Sequence, residues 1–148
     1  MKKVLFVCVE NSCRSQMAEA FVQMHGKDGK DGLEAHSAGS RASGKVNEKA
    51  IKSMWELGYD LNTHRSKSLT EIPDVEYEYA ITMGCGDECP YVKAKQREDW
   101  AIPDPKNMDE HDFNRVRDTI ETKVLSLIDS MTDVELSRIL DEGRGGIT

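Results

Sequence analysis

The sequence predicts a single α/β domain in which helices flank a four-stranded parallel sheet in three layers. Three observations carry that expectation. Short runs rich in Val, Ile, Leu, Phe and Tyr alternate with segments whose apolar residues recur every three or four positions, as strands joined by helical crossovers do. The 148 residues suffice for one hydrophobic core without disulfides or structural metal. Residues able to do chemistry follow several predicted strands, and parallel sheets bind ligands at the carboxyl ends of their strands.

The elements follow in order. Residues 3–9 ("KVLFVCV") form a short apolar run that predicts a buried strand. A helix starts near Ser12, with Met17, Ala18, Phe21, Val22 and Met24 on one apolar face. "HGKDGKDG" has the composition of an exposed loop, and "LEAHSAGS" predicts the second strand. Residues 46–61 predict a helix with Ala50, Ile51, Met54 and Leu57 on one side and Gly58 at its C-terminal stop. A helical turn near Thr70 ends at Pro73, and "YEYAITMG" predicts the third strand. "REDWAI" predicts the fourth strand, ending at "PDP", and Trp55 and Trp100 are expected in core or edge packing. Residues 111–131 carry Phe113, Val116, Ile120, Val124, Leu127, Ile128 and Met131 at helical spacing, with an N-cap near Asp109. The expected domain covers 1–131. The tail, 132–148, is expected to add a short helix before its glycine-rich end frays.

A formal net charge of −7 argues against nucleic acid as a partner, but one local cluster of donors is enough for a small anion. The apolar run of "MKKVLFVCVE" is too short for a secretion signal, and no stretch reaches the roughly 20 apolar residues of a membrane span. The expectation is a cytoplasmic protein without a membrane partner. In a reducing compartment, four cysteines point to catalysis or metal binding before permanent disulfides.

The segment "CVENSCRS" fits an anion cradle. A chain that leaves a buried strand and enters a helix within a few residues turns backbone N–H groups inward, beside the positive end of the helix dipole. That places Val9, Glu10, Asn11, Ser12, Cys13, Arg14 and Ser15 around a tetrahedral oxyanion, with the Arg14 guanidinium gripping two of its oxygens. The same positive field favours a Cys8 thiolate, a nucleophile aimed at phosphorus or arsenic. Ser15 is placed to hydrogen-bond the sulfur, and Asn11 to hold the loop. Asp104, between two prolines in "IPDP", becomes a general acid for the leaving oxygen once it is paired with this loop. The opposing reading makes Cys8 a packed, unreactive thiol beside an incidental arginine.

The segments "VLFVCVENSCRSQMAEAF", "HSAG", "AITMGCGDECP" and "EDWAIPDP" resemble the arsenate reductases built on the low-molecular-weight protein tyrosine phosphatase fold, from Met1 to about Met131. The resemblance implies reduction of arsenate to arsenite by three thiols. Cys8 forms a thiol–arsenate adduct, Asp104 protonates the departing oxygen, Cys85 attacks Cys8, and Cys89 attacks Cys85. Thioredoxin is the implied reductant. The short "CGDEC" spacing departs from the thioredoxin-linked pattern and admits glutaredoxin or a low-molecular-weight thiol. Neither a cofactor nor a catalytic metal is implied. Asn11, Glu19 and Ser37 match a potassium site of some relatives, but Lys67 stands where an acidic residue is expected, so its ammonium is expected to replace the cation. Cys13 is expected to be a packed residue of the loop or an occasional oxidative partner for Cys8.

Two alternatives have different consequences. A tyrosine phosphatase would hydrolyse phosphoesters through a Cys8 phosphocysteine, but no aromatic residue follows Asp104-Pro105 until Phe113, so the rim lacks a wall for a phenyl ring. A structural zinc site would use all four cysteines, but their x4 and x3 spacings are loose for that purpose, and Arg14 would repel the cation.

Overall fold

The computed structural model describes residues 2–26, 32–84 and 92–147, with side chains described as far as Met131. The cysteine pair Cys85 and Cys89 and most of the "KDGKDG" loop lie outside the described residues.

Four six-residue strands, β1 (Lys3–Cys8), β2 (Glu34–Gly39), β3 (Tyr77–Thr82) and β4 (Ala94–Asp99), form one parallel sheet in the order β2-β1-β3-β4. Strand β1 is buried along nearly its whole length because it pairs on both edges, which explains its unbroken apolar run. The helices are α1 (Arg14–His25), α2 (Glu48–Trp55) and α3 (Glu110–Ile147). Val4, Phe6 and Ile81 share one core with Met17, Phe21, Met54, Phe113, Ile120 and Val124. Leu5, Val7, Ala38 and Tyr77 point the other way and pack with Leu69, Ile72 and Val92. This period-two division places β1 between two apolar layers.

Helix α1 is buried from Arg14 to Val22, polar residues included, since it lies between the sheet and α3. Asn47 caps α2 through its side chain, and the Asp109 carboxylate accepts from Asp112 N at 2.8 Å at the start of α3, as its sequence position suggests.

Several boundaries differ from expectation. Strand β4 lies three residues earlier than "REDWAI": Thr82 pairs with Asp99, so Trp100, Ala101 and Ile102 follow the strand. Trp100 and Ile102 are buried from a loop, and their apolar signal drew the predicted strand toward them. An exposed edge strand carries little pattern to fix its own register. Strand β1 stops at Cys8, and α1 begins at Arg14 instead of Ser12. Helix α2 ends at Trp55, whose side chain is 65% exposed, not packed, and Leu57 is exposed beyond it. Residues 132–147 continue α3 instead of starting a new helix. Among the described residues no helix is long and apolar enough to cross a membrane.

Candidate active site

The strand order reverses between β1 and β3, and there the chain leaves each strand in opposite directions, opening a crevice at the carboxyl edge. A cavity of about 250 Å³ lies at this edge, lined by Cys8, Val9, Glu10, Ser12, Cys13, Arg14, Arg41, Asp104 and Lys106.

The loop joining β1 to α1 has its carbonyls held away from that cavity. Cys8 O accepts from Ser40 N (3.2 Å), Val9 O from Arg41 N (2.8 Å), and Glu10 O from Ser43 N and Ser66 Oγ (both 3.0 Å). Asn11 O accepts from Gln16 Nε2 (3.1 Å), Ser12 O from Asn47 N (3.0 Å), and Cys13 O from Met17 N (3.0 Å). In a trans peptide the N–H opposes the C=O, so this arrangement turns the amides of residues 9–14 to the cavity side. Helix α1 starts without a side-chain cap, which leaves its first amides and dipole available to an anion. Gly39 permits the close approach of β2: a Cβ there would stand 2.5 Å from Val9 O and 2.9 Å from Asn11 N.

Asn11 adopts a left-handed backbone (φ 51°), a conformation asparagine tolerates better than most residues, and its side chain is fully buried. Its Oδ1 accepts from Lys67 N and Gln16 Nε2, each at 2.8 Å, so its Nδ2 faces Ser15 Oγ and donates to it at 2.7 Å. The Ser15 hydroxyl then has its hydrogen for Cys8 Sγ, 2.8 Å away. This geometry suits a sulfur that carries negative charge. The second loop thiol is different. Burial pushes Cys13 up to about 12, a smaller opposing effect coming from Ser12, so it stays a neutral packed thiol.

Arg14 is nearly buried and reaches across the crevice. Its Nη1 donates to Met83 O (2.6 Å) and Ile102 O (2.9 Å), beyond the ends of β3 and β4, and its Nη2 lies 3.9 Å from Asp104 Oδ2. One guanidinium edge thus holds two loops in place. The chain turns at Gly84 (φ 86°), where a side chain would press on Ile102. Asp99 ties the same region together, its Oδ1 accepting from Thr82 Oγ1 at 2.6 Å and Gly84 N at 2.9 Å.

A buried network backs the loop. His64 Nδ1 faces Gln16 Oε1 at 2.9 Å, and Tyr59 OH meets His64 Nε2 at 2.5 Å. Gln16 Nε2 is committed to carbonyl acceptors, so its Oε1 requires the proton on His64 Nδ1. Burial holds His64 below the usual histidine value, Glu19 opposing and Lys67 reinforcing the shift. Glu19 Oε1 accepts from Ser37 Oγ at 2.8 Å and lies 3.6 Å from the Lys67 ammonium, which also donates to Arg65 O at 2.9 Å.

Cys8, Arg14 and Asp104, named from sequence, meet at one cavity; Val9, Glu10, Ser12 and Cys13 line it too. Asn11 and Ser15 stand behind it as supports of the sulfur. Cys85 and Cys89 lie outside the described residues. Sequence reasoning missed Arg41 and Lys106 on the cavity wall. Arg41 stands two residues past the end of β2, so the strand-end rule that flagged Cys8 would also have flagged it. His64, which carries no motif signal of its own, stands in the network behind the loop. No cluster of three or more His, Cys, Asp or Glu side chains suited to a metal is found among the described residues.

A parallel-sheet domain that brings a thiol, an arginine and a carboxyl group to one pocket at its carboxyl edge has the groups that oxyanion chemistry at a cysteine requires. More particularly, the chain belongs to the low molecular weight phosphotyrosine protein phosphatase family, whose model matches residues 3–137. Among its relatives, the glutaredoxin arsenate reductase of Synechocystis sp. is 36% identical over 131 residues, covering 86% of this chain and 97% of that protein. A solved structure of an arsenate reductase in the phosphate binding state superposes with a TM-score of 0.78 at 35% identity, covering 88% of this chain and 98% of the other. The thioredoxin-dependent arsenate reductase Cg_ArsC1' of Corynebacterium glutamicum superposes with a TM-score of 0.69 at 27% identity, covering 93% of this chain and 63% of the other.

Proposed function

We propose that this chain reduces arsenate to arsenite in the cytoplasm. The observation that carries the reading is the Cys8 sulfur, 2.8 Å from Ser15 Oγ, at the cavity shared by Arg14 and Asp104. Relatives named as arsenate reductases, matched over nearly their full length, favour arsenate over a phosphoester.

In the proposed sequence, the Cys8 thiolate attacks As(V), and Asp104 gives its proton to the oxygen that leaves as water. Amides of the loop and the free edge of Arg14 hold the remaining oxygens. The Cys85 thiolate then attacks Cys8 Sγ, the S–As bond breaks, and its electron pair stays on arsenic. Arsenic falls from As(V) to As(III) while two thiols become the Cys8–Cys85 disulfide. Cys89 attacks Cys85 and frees Cys8, leaving a Cys85–Cys89 disulfide for an external dithiol. Thioredoxin is the proposed reductant, with glutaredoxin or a low-molecular-weight thiol as the alternative. The working unit is residues 1–131, and 132–148 is a tail outside the chemistry. Lys67 serves in place of a bound cation, its ammonium lying 3.6 Å from Glu19 Oε1 and its N–H bound to Asn11.

Arsenate-dependent NADPH oxidation, coupled first to a thioredoxin system and then to glutaredoxin with glutathione, tests the reading. The expected result is turnover with one of the two that does not rise with added potassium, and its loss in Cys85→Ser. Silence in both, with rapid hydrolysis of an aryl phosphate, would overturn it in favour of a phosphatase.

A further inference from the structure

The anion loop contains a carboxylate of its own. Glu10 stands between Val9 and Asn11 and lines the Cys8 cavity. Its backbone cannot swing aside, because its carbonyl takes hydrogen bonds from Ser43 N and Ser66 Oγ, and Asn11 next to it is in a left-handed conformation. A negative charge carried on that position opposes any bound anion. Among the described residues the opposing charge meets Lys106 on the far wall, whose Nζ lies 3.5 Å from Glu10 Oε1. Lys106 follows β4 by seven residues, and its N–H donates to Asp104 Oδ1 at 3.1 Å. The Glu10–Lys106 pair therefore joins the nucleophile loop to the Asp104 loop beside the cavity, with both side chains a little over 40% exposed.

We infer that Glu10 and Lys106 form a charge gate that restricts the Cys8 pocket to free inorganic oxyanions and rejects their organic esters. This inference rests on reading the pocket as an oxyanion site. At about 250 Å³ the cavity is below the roughly 300–1,000 Å³ of pockets that enclose drug-sized ligands. Among the described residues its wall offers Val9 as the sole large apolar side chain, against the charges of Glu10, Arg14, Arg41, Asp104 and Lys106. An ester group extending toward Asp104 has to separate Glu10 from Lys106. That leaves an unpaired carboxylate facing a bound dianion, a repulsive arrangement that an inorganic anion avoids by leaving the pair closed. Lys106 thus contributes by cancelling Glu10 as well as by its own attraction.

Protection of Cys8 from iodoacetamide provides a test that does not depend on turnover. Half-protecting concentrations of inorganic phosphate and of phenyl phosphate are measured on the wild type, Glu10→Ala, Lys106→Ala and the double variant, with alkylation mapped by peptide mass. In the wild type, phosphate protects at lower concentration than phenyl phosphate. Glu10→Ala lowers the ratio of phenyl phosphate to phosphate by about tenfold, the scale on which pocket contacts discriminate. Lys106→Ala weakens protection by phosphate, and adding Glu10→Ala restores part of it. An unchanged ratio in Glu10→Ala, or no restoration in the double variant, would overturn the gate. Failure of both anions to protect the wild type would overturn the oxyanion reading itself.

Discussion

Two loops on the same sheet edge are built in opposite ways. The β1–α1 loop is held from outside: each carbonyl from Cys8 to Cys13 has a partner, Asn11 is fully buried, and Gly39 presses against its back. The loop after β4 is held at a few points, with Arg14 gripping Ile102 O and the Asp104 carboxylate 41% exposed. The first arrangement preorganises the groups that hold an anion and so avoids ordering them on binding. The second leaves the side chain of the proposed proton donor open to solvent, tied to the anion clamp by a 3.9 Å contact. Changes in the first loop are therefore expected to damage folding and binding together, and changes in the second to damage chemistry alone.

The largest expected effect separates the two. Asp104→Asn is predicted to slow arsenate reduction by about 10²–10⁴-fold, the range for loss of a general acid, while the free energy of urea unfolding stays within about 0.5 kcal/mol of wild type. Retained turnover would remove Asp104 from the mechanism, and a large stability loss would erase the contrast between the loops. Gly39→Ala is predicted to cost about 2–3 kcal/mol in urea unfolding, since the new methyl collides with backbone held by five hydrogen bonds from outside the loop and α1. Its anion affinity should fall in parallel, and an effect within about 0.5 kcal/mol would mean that the loop yields easily. His64 gives the smallest effect. Its folded value lies below the unfolded value of about 6.5 because burial disfavours its charged form. Below about 6.5 the unfolded chain binds a proton that the folded chain refuses, so stability falls as pH drops toward the folded value. His64→Gln should flatten thermal unfolding against pH in that window, and an unaltered slope would place the titration elsewhere.

What was legible in the sequence follows the same division. Strand β1 and helix α1 are buried on nearly all sides, so composition alone located them, and the residues of "CVENSCRS" had local geometry to reveal their purpose. Strand β4 is an exposed edge whose register depends on pairing with β3, and the apolar Trp100 and Ile102 belong to the following loop. Arg14 was recognisable as an anion ligand, but its hydrogen bonds to Met83 O and Ile102 O join residues 69 and 88 positions away, and no local pattern encodes those. Arg41 and Lys106 reach the cavity only because the sheet order brings three strand ends together. Trp55 misled because an aromatic residue at helical spacing reads as core, whereas α2 turns it outward.

In the proposed reaction Cys8 receives arsenate and a second thiol of the same chain supplies the rest of the two electrons. A single turnover of fully reduced Cys89→Ser protein with arsenate, followed by arsenite quantification and disulfide mapping by mass spectrometry, tests it most directly. The predicted result is about one arsenite per chain and a Cys8–Cys85 disulfide. Arsenite without that disulfide, or no arsenite from a protein whose Cys8 is protected by the anion, would contradict it.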